Sequence, residues 1–119
     1  MHELSVAGGI VAIAEQHARG RRITRVEVEI GRLRQVVPDA LRFGFNLVAK
    51  GTALDGAELA LEEIPVGLEC RRCAARSEAD RFPLACDACG SLDVEVTDGE
   101  QLQVVALVLE DEPVTAGRG

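Results

Sequence analysis

Cys70-Arg71-Arg72-Cys73, then twelve residues, then Cys86-Asp87-Ala88-Cys89-Gly90 is a doubled Cys-x2-Cys pattern. A two-residue gap lets each pair turn so that both sulfurs meet one ion. Two such knuckles complete a tetrahedron, the closed geometry of structural zinc. Gly90 can take the positive φ that a knuckle often needs. The segment around the cysteines, residues 66–98, is too small for a self-sufficient core. Metal binding would supply its folding energy, about 10–16 kcal/mol in comparable zinc peptides. Arg71, Arg72 and Arg76 are placed to offset the negative charge of a four-thiolate centre. Two other readings of the cysteines are weaker. A redox Cys-x-x-Cys sits at a helix start after a strand, in a βαβ setting, and two paired motifs at ribbon spacing do not fit it. Two structural disulfides would need an oxidising compartment.

Outside the cysteines the pattern is one of alternating helix and strand. Residues 4–19 place Leu4, Ala7, Val11, Ala14 and Ala18 at helical spacing, flanked by Val6, Ile10 and Ile13. Gly20 is a C-cap candidate, and Arg19, Arg21 and Arg22 lie near the negative end of the helix dipole. Residues 23–30 switch to period two, with Val26, Val28 and Ile30 on one face and Arg25, Glu27 and Glu29 on the other. Gly31 ends this strand. Pro38 opens a second helix, 38–50, with Leu41, Phe45 and Val48 on its apolar side beside Ala40, Gly44 and Leu47. Gly44 lowers helix propensity by about 1 kcal/mol relative to Ala, which points to close packing at that position. Asp55-Gly56 is a turn, residues 57–63 alternate again, and Pro65 stops them. The apolar run Leu102 to Leu109 reads as a mostly buried strand, followed by an acidic, then Gly-rich tail.

The third strand has nowhere to bury itself unless it rejoins the first two. The expectation is therefore an α+β fold, a three-stranded sheet covered by two helices, with an inserted four-cysteine zinc-ribbon module. In domain terms, 1–65 and 99–119 form one α/β domain and 66–98 the module.

Composition narrows the function classes. Apolar residues are 47% of 119, with three Phe and no Trp or Tyr, so the core must be aliphatic. A net charge of −7 argues against a nucleic-acid binder, which should present a basic face, and against an anionic membrane surface. No stretch approaches the ~20 apolar residues of a membrane-spanning helix. His2 and Glu3 stand where a signal peptide would carry Lys or Arg. The expected setting is cytoplasmic.

Met1-His2-Glu3 has two readings. A lone exposed His near a terminus usually does nothing. The α-amine of Met1, the amide nitrogen of His2 and its imidazole can also bind one ion in fused small chelate rings. Nitrogen donors in a plane suit Ni(II) or Cu(II). The bulk of His2 disfavours removal of Met1, which keeps the amine in place, and the helix that follows would hold this head at one end of a rigid element. His17, the other histidine, flanks the apolar face of the first helix and reads as a boundary residue rather than a ligand.

Taken together, Met1-His2-Glu3-Leu4-Ser5, Val28-Glu29-Ile30-Gly31, Pro38 to Phe45, Gly51-Thr52 and the two cysteine pairs with Gly90 resemble, in the same order, the HypA/HybF family of hydrogenase-maturation nickel metallochaperones. The resemblance covers essentially the whole chain short of its tail. It implies an α/β nickel domain with an inserted zinc ribbon. It implies Ni(II) cargo bound through His2 and the N-terminal backbone, with the Met1 amine and Glu3 in support, and structural zinc on Cys70, Cys73, Cys86 and Cys89. It implies delivery to the large subunit of a [NiFe] hydrogenase with the GTPase HypB, in some members supply of urease as well, and a monomer or homodimer. Some members add a His from the zinc module. This sequence has no His between residues 18 and 119, so a fourth nickel position falls to Glu3 (backbone or carboxylate), water or a partner.

The leading expectation is a carrier, not an enzyme. A zinc-ribbon interaction module without nickel is the alternative; the acidic balance and lack of aromatics for base stacking weigh against it. A metal-dependent hydrolase needs an open metal position, which four cysteines do not leave, and two histidines fifteen positions apart on one helix cannot cluster.

Overall fold

The computed structural model describes residues 3–110. They cluster into two compact units, one of residues 3–28, 36–62 and 103–110, the other of residues 29–35 and 63–102. Met1 and His2, the expected nickel head, lie outside the described residues.

The first unit holds two helices, α1 (Glu3–Ala18) and α2 (Pro38–Val48), which pack on each other. It also holds the greater part of three strands, β1 (Ile23–Gly31), β2 (Glu58–Ile64) and, after the second unit's three strands, β6 (Leu102–Leu109), whose residues 29–31, 63–64 and 102 fall in the second unit. They form a sheet in the order β2-β1-β6, so the last strand of the chain does rejoin the first. The α+β class, with two helices and a three-stranded sheet, is thus the observed one.

α1 buries Val6, Ala7, Ile10, Val11, Ala14 and Ala18. Leu4 and Ile13, expected on its apolar side, are about half exposed. α1 is apolar around most of its circumference, so periodicity alone did not select which residues face inward. α2 buries Leu41, Gly44 and Phe45, whereas Ala40 and Leu47 of its expected apolar side are exposed. Gly44 marks the close approach of the helices: a Cβ there would lie 3.5 Å from Cα of Leu4 and 3.7 Å from Cβ of Ala7. β1 alternates as its sequence predicts, with Ile23, Val26 and Val28 buried.

β6 differs from expectation. Val105 and Val108 are 49% and 44% exposed. A continuous apolar run signals burial on both faces, but β6 lies at an edge of its sheet among the described residues.

The loop from α2 to β2 is more structured than its turn signals suggested. Leu54 is fully buried in it. Gly51 N–H donates to Asp55 Oδ2 at 3.1 Å, Ala53 N–H to Glu15 Oε2 at 3.0 Å, and Ile23 N–H to Ala53 O at 2.8 Å. The loop is thereby fastened to both α1 and β1.

The second unit carries a separate sheet in the order β4-β3-β5. Its strands are β3 (Val66–Cys70), β4 (Arg76–Ala79) and β5 (Val94–Asp98). β3 pairs antiparallel with both neighbours, Glu69 opposite Arg76 on one side and Cys70 opposite Val94 on the other. β3 and β5 alternate over only five residues each, Val66, Leu68 and Cys70 in one and Val94 and Val96 in the other, and β4 has no hydrophobic period at all. A 3-10 turn, Arg32–Arg34, belongs to this unit. It is tied down by Leu33 N–H to Gly99 O at 2.9 Å and Arg34 Nε to Glu100 O at 2.9 Å.

Candidate metal centre

Cys70 is the last residue of β3. The chain then reverses into β4, and the same reversal is repeated further along. Ala74 N–H donates to Cys70 O at 3.0 Å and Cys70 N–H to Ala75 O at 2.9 Å. Sixteen residues on, Gly90 N–H donates to Cys86 O at 2.8 Å and Cys86 N–H to Ser91 O at 2.8 Å. The residue after each second cysteine has a left-handed backbone, Ala74 at φ 64° and Gly90 at φ 77°. Gly90 accepts that conformation at no steric cost, while a side chain with a Cβ is strained there by about 1–2 kcal/mol. Ala74 was not marked by the sequence; the repeat of the knuckle in space identifies its requirement.

The two knuckles bring all four thiols together. Cys70 Sγ lies 3.7 Å from Cys89 Sγ, and Cys73 Sγ lies 3.6 Å from Cys86 Sγ. All four sulfurs are within 4.8 Å of one another. A tetrahedron with metal–sulfur bonds of ~2.3 Å has edges of about 3.8 Å. The donor set therefore fits a closed tetrahedral ion of zinc's size. None of the cysteines is in a disulfide. Cys70 and Cys86 are buried and Cys73 and Cys89 exposed, so each knuckle offers one inner and one outer ligand.

The backbone around the site favours thiolate at the inner positions. Arg72 N–H and Cys73 N–H point at Cys70 Sγ at 3.3 and 3.4 Å. The Cys73 amide is the main reason the Cys70 thiol is lowered to about 7, with the Arg72 amide adding to it against desolvation. Cys86 is lowered in the same way, first by the Cys89 amide. Cys73 goes the other way. The backbone of Ala75 pulls it down, but the bond to Cys86, burial and the bonds to the other thiols outweigh that and raise it to about 11. Cys89 is also raised: the Ser91 backbone lowers it, and the bond to Cys70 and burial prevail. Without metal, protons thus collect on the outer pair.

Arg71 was expected to offset the charge of the centre. Its guanidinium instead pairs with Asp93 at 3.1 Å and donates to Val94 O at 3.1 Å, while its N–H donates to Asp93 O at 3.0 Å. Arg71 therefore fastens the first knuckle to the start of β5. Arg72 acts through its backbone amide.

The nickel residues expected from the sequence, Met1 and His2, are not among the described residues. Glu3 is, and its carboxylate Oε2 accepts from Val37 N–H at 3.0 Å. His17 Nδ1 lies 2.9 Å from Ile13 O, one turn earlier in its own helix. No helix among the described residues is long and apolar enough to cross a membrane.

Residues 1–109 match the family model described as hydrogenase/urease nickel incorporation, metallochaperone, HypA. A hydrogenase maturation factor HypA from a Nostoc species is 39% identical over 111 residues, 93% of this chain and 97% of that protein. One from Geotalea uraniireducens is 43% identical over 110 residues, 92% of this chain and all of its own length. The solution structure of the nickel metallochaperone HypA from Helicobacter pylori superposes with a TM-score of 0.65 at 26% identity, covering 92% of this chain and 97% of that one.

Proposed function

The chain belongs to the HypA family of nickel-incorporation metallochaperones for hydrogenase maturation, and from that premise we propose that it captures Ni(II) at its N-terminal head and hands it on for assembly of a [NiFe] hydrogenase. The observation that carries the reading is the family match, which runs from residue 1 through both cysteine knuckles to residue 109.

The head would offer the Met1 amine, the His2 amide nitrogen and the His2 imidazole as donors in one plane, a set suited to Ni(II). A terminal chelate of this kind combines capture with release better than a buried cage does. Binding requires the amide and imidazole protons to leave, so affinity would fall as pH drops. Cys70, Cys73, Cys86 and Cys89 would hold zinc, an ion whose bond length fits the sulfur spacing, in a structural role. In this division of labour residues 1–65 and 99–119 carry nickel and 66–98 form the zinc ribbon. The partners are a HypB-type GTPase and the hydrogenase large subunit. Hydrogenase is preferred to urease as destination because the relatives at 39% and 43% identity are named for hydrogenase maturation. Four reduced thiols suit the cytoplasm.

The test is metal analysis of untagged protein after nickel loading, with Ni(II) calorimetry on wild type, His2→Ala and a variant with one residue added before Met1. One tightly held zinc and one labile nickel per chain are expected, and both variants should lose most nickel affinity. Equal affinity in wild type and His2→Ala would refute the N-terminal site.

A further inference from the structure

β1 buries Val26 and Val28. Successive side chains of a strand point to opposite faces, so Arg25 and Glu27 stand on the other side of the sheet. β2 divides in the same way, with Leu59 buried and Glu58, Ala60 and Glu62 at the alternate positions. On this outer face Arg25, Glu27, Ala60, Glu62 and Val105, all of the first unit, line a shallow depression of about 190 Å³. Val105 is the half-exposed valine of β6, so the depression has an apolar part as well as a charged one. Arg25 is its cation and is already engaged. Its Nε lies 3.1 Å from Glu27 Oε2 and its Nη1 3.1 Å from Glu58 Oε1. Glu62 is exposed and enters no ion pair among the described residues. Three carboxylates thus face one guanidinium beside Ala60 and Val105.

Size and chemistry select the occupant. Cofactor-sized ligands take pockets of about 300–1,000 Å³, so this depression admits a side chain rather than a small molecule. An apolar floor with a carboxylate rim matches an aliphatic stem that ends in a cation, the form shared by lysine and arginine. We propose that this face of the sheet is a docking surface for a basic segment of a partner protein, with one lysine or arginine side chain lying against Ala60 and Val105 and its charged end at Glu62. The surface is independent of the nickel site proposed above. Its excess negative charge speeds encounter with a basic partner and rejects acidic ones. A second copy of this chain, at net charge −7, is for that reason a poor occupant.

The test titrates the full chain with a short peptide of alternating alanine and lysine, followed by the shifts of its amide NMR resonances. The same peptide with glutamine for lysine, and spermidine, serve as comparison probes. The lysine peptide should shift Ala60, Glu62 and Val105 to saturation, and the glutamine peptide should not. Glu62→Gln should weaken binding about threefold, the size of one exposed ion pair. Val105→Ser should weaken it by about the same factor through loss of apolar contact, and added salt should weaken it further. Glu78→Gln combined with Asp80→Asn removes two exposed charges from the second unit and should leave the affinity unchanged. Weakening by that pair equal to that of Glu62→Gln, or shifts spread over both units, would mean attraction to net charge alone and overturn the proposal. Spermidine binding at Ala60 and Val105 as tightly as the peptide would make the occupant a free polyamine. Shifts at those amides that grow with protein concentration alone would make it a second copy. Either result would overturn the assignment to a partner protein.

Discussion

Gly31 lies so close to Gly99 that a Cβ on Gly31 would fall 1.9 Å from the Gly99 carbonyl oxygen. Gly31 has φ −74° and ψ 141°, ordinary extended backbone, so space and not conformation requires glycine there. Its N–H also donates to Gln101 O at 2.7 Å. Gly31→Ala must push two backbone segments apart and break that bond. The expected cost is about 3 kcal/mol, at the upper end of overpacking changes. Amide exchange at residues 31 and 33 reads it directly; protection equal to wild type would show that the approach is looser than described.

Gly9 presents the opposite case. It is exposed in the middle of α1, and a Cβ there would meet nothing within 4 Å. Gly9→Ala should stabilise the protein by about 0.5–1 kcal/mol through helix propensity and a less flexible unfolded chain. The chain has no Trp or Tyr, so the measurement is thermal or urea denaturation followed by far-UV circular dichroism. A destabilised Gly9→Ala would mean that this face of α1 is covered in solution.

These two glycines illustrate which features the sequence encodes locally. The cysteine pairs are legible because a knuckle is local: each two-residue gap brings its own sulfurs together. β1 is legible because one wet face gives strict alternation from Val26 to Ile30. The edge position of β6 is not, since Val105 and Val108 are exposed only by where the strand sits in the sheet. α1 is apolar nearly all round, so Leu4 and Ile13 could not be told from Ile10 and Val11. β4, with the sequence Arg76-Ser77-Glu78-Ala79, exists because it pairs with β3, not because of any pattern of its own. The Glu3–Val37 bond joins residues whose sequence neighbourhoods contain no hint of each other.

Metal removal should act unevenly on the chain. Among residues 63–102 the buried apolar side chains are Val66, Leu68, Cys70 and Cys86, two of them members of the cysteine cluster. Residues 3–28 and 36–62 bury a far larger aliphatic set around Phe45, Leu41 and Ile23. Loss of a structural ion removes about 10 kcal/mol or more of binding energy in zinc peptides, beyond what so small a core can replace. After treatment with a strong chelator, exchange protection should vanish at Leu68, Cys70 and Val94 and persist at Ile10, Val11 and Phe45. Uniform loss, or none, would contradict this.

Metal uptake should release fewer protons than there are ligands. All four thiols must be ionised when bound. At pH 8 Cys70, lowered to about 7, has already given up most of its proton, whereas Cys73, raised to about 11, retains its own. Cys86 follows Cys70 in direction and Cys89 follows Cys73. Zinc binding at pH 8 should therefore expel about two to three protons, chiefly from the outer pair. Because protons leave on binding, affinity must fall as pH falls. The fall steepens below pH 7, where Cys70 must be deprotonated as well. Calorimetry in buffers of different ionisation enthalpy counts the protons. A count near four at pH 8 would mean that the amides of Arg72 and Cys73 do not favour thiolate at Cys70.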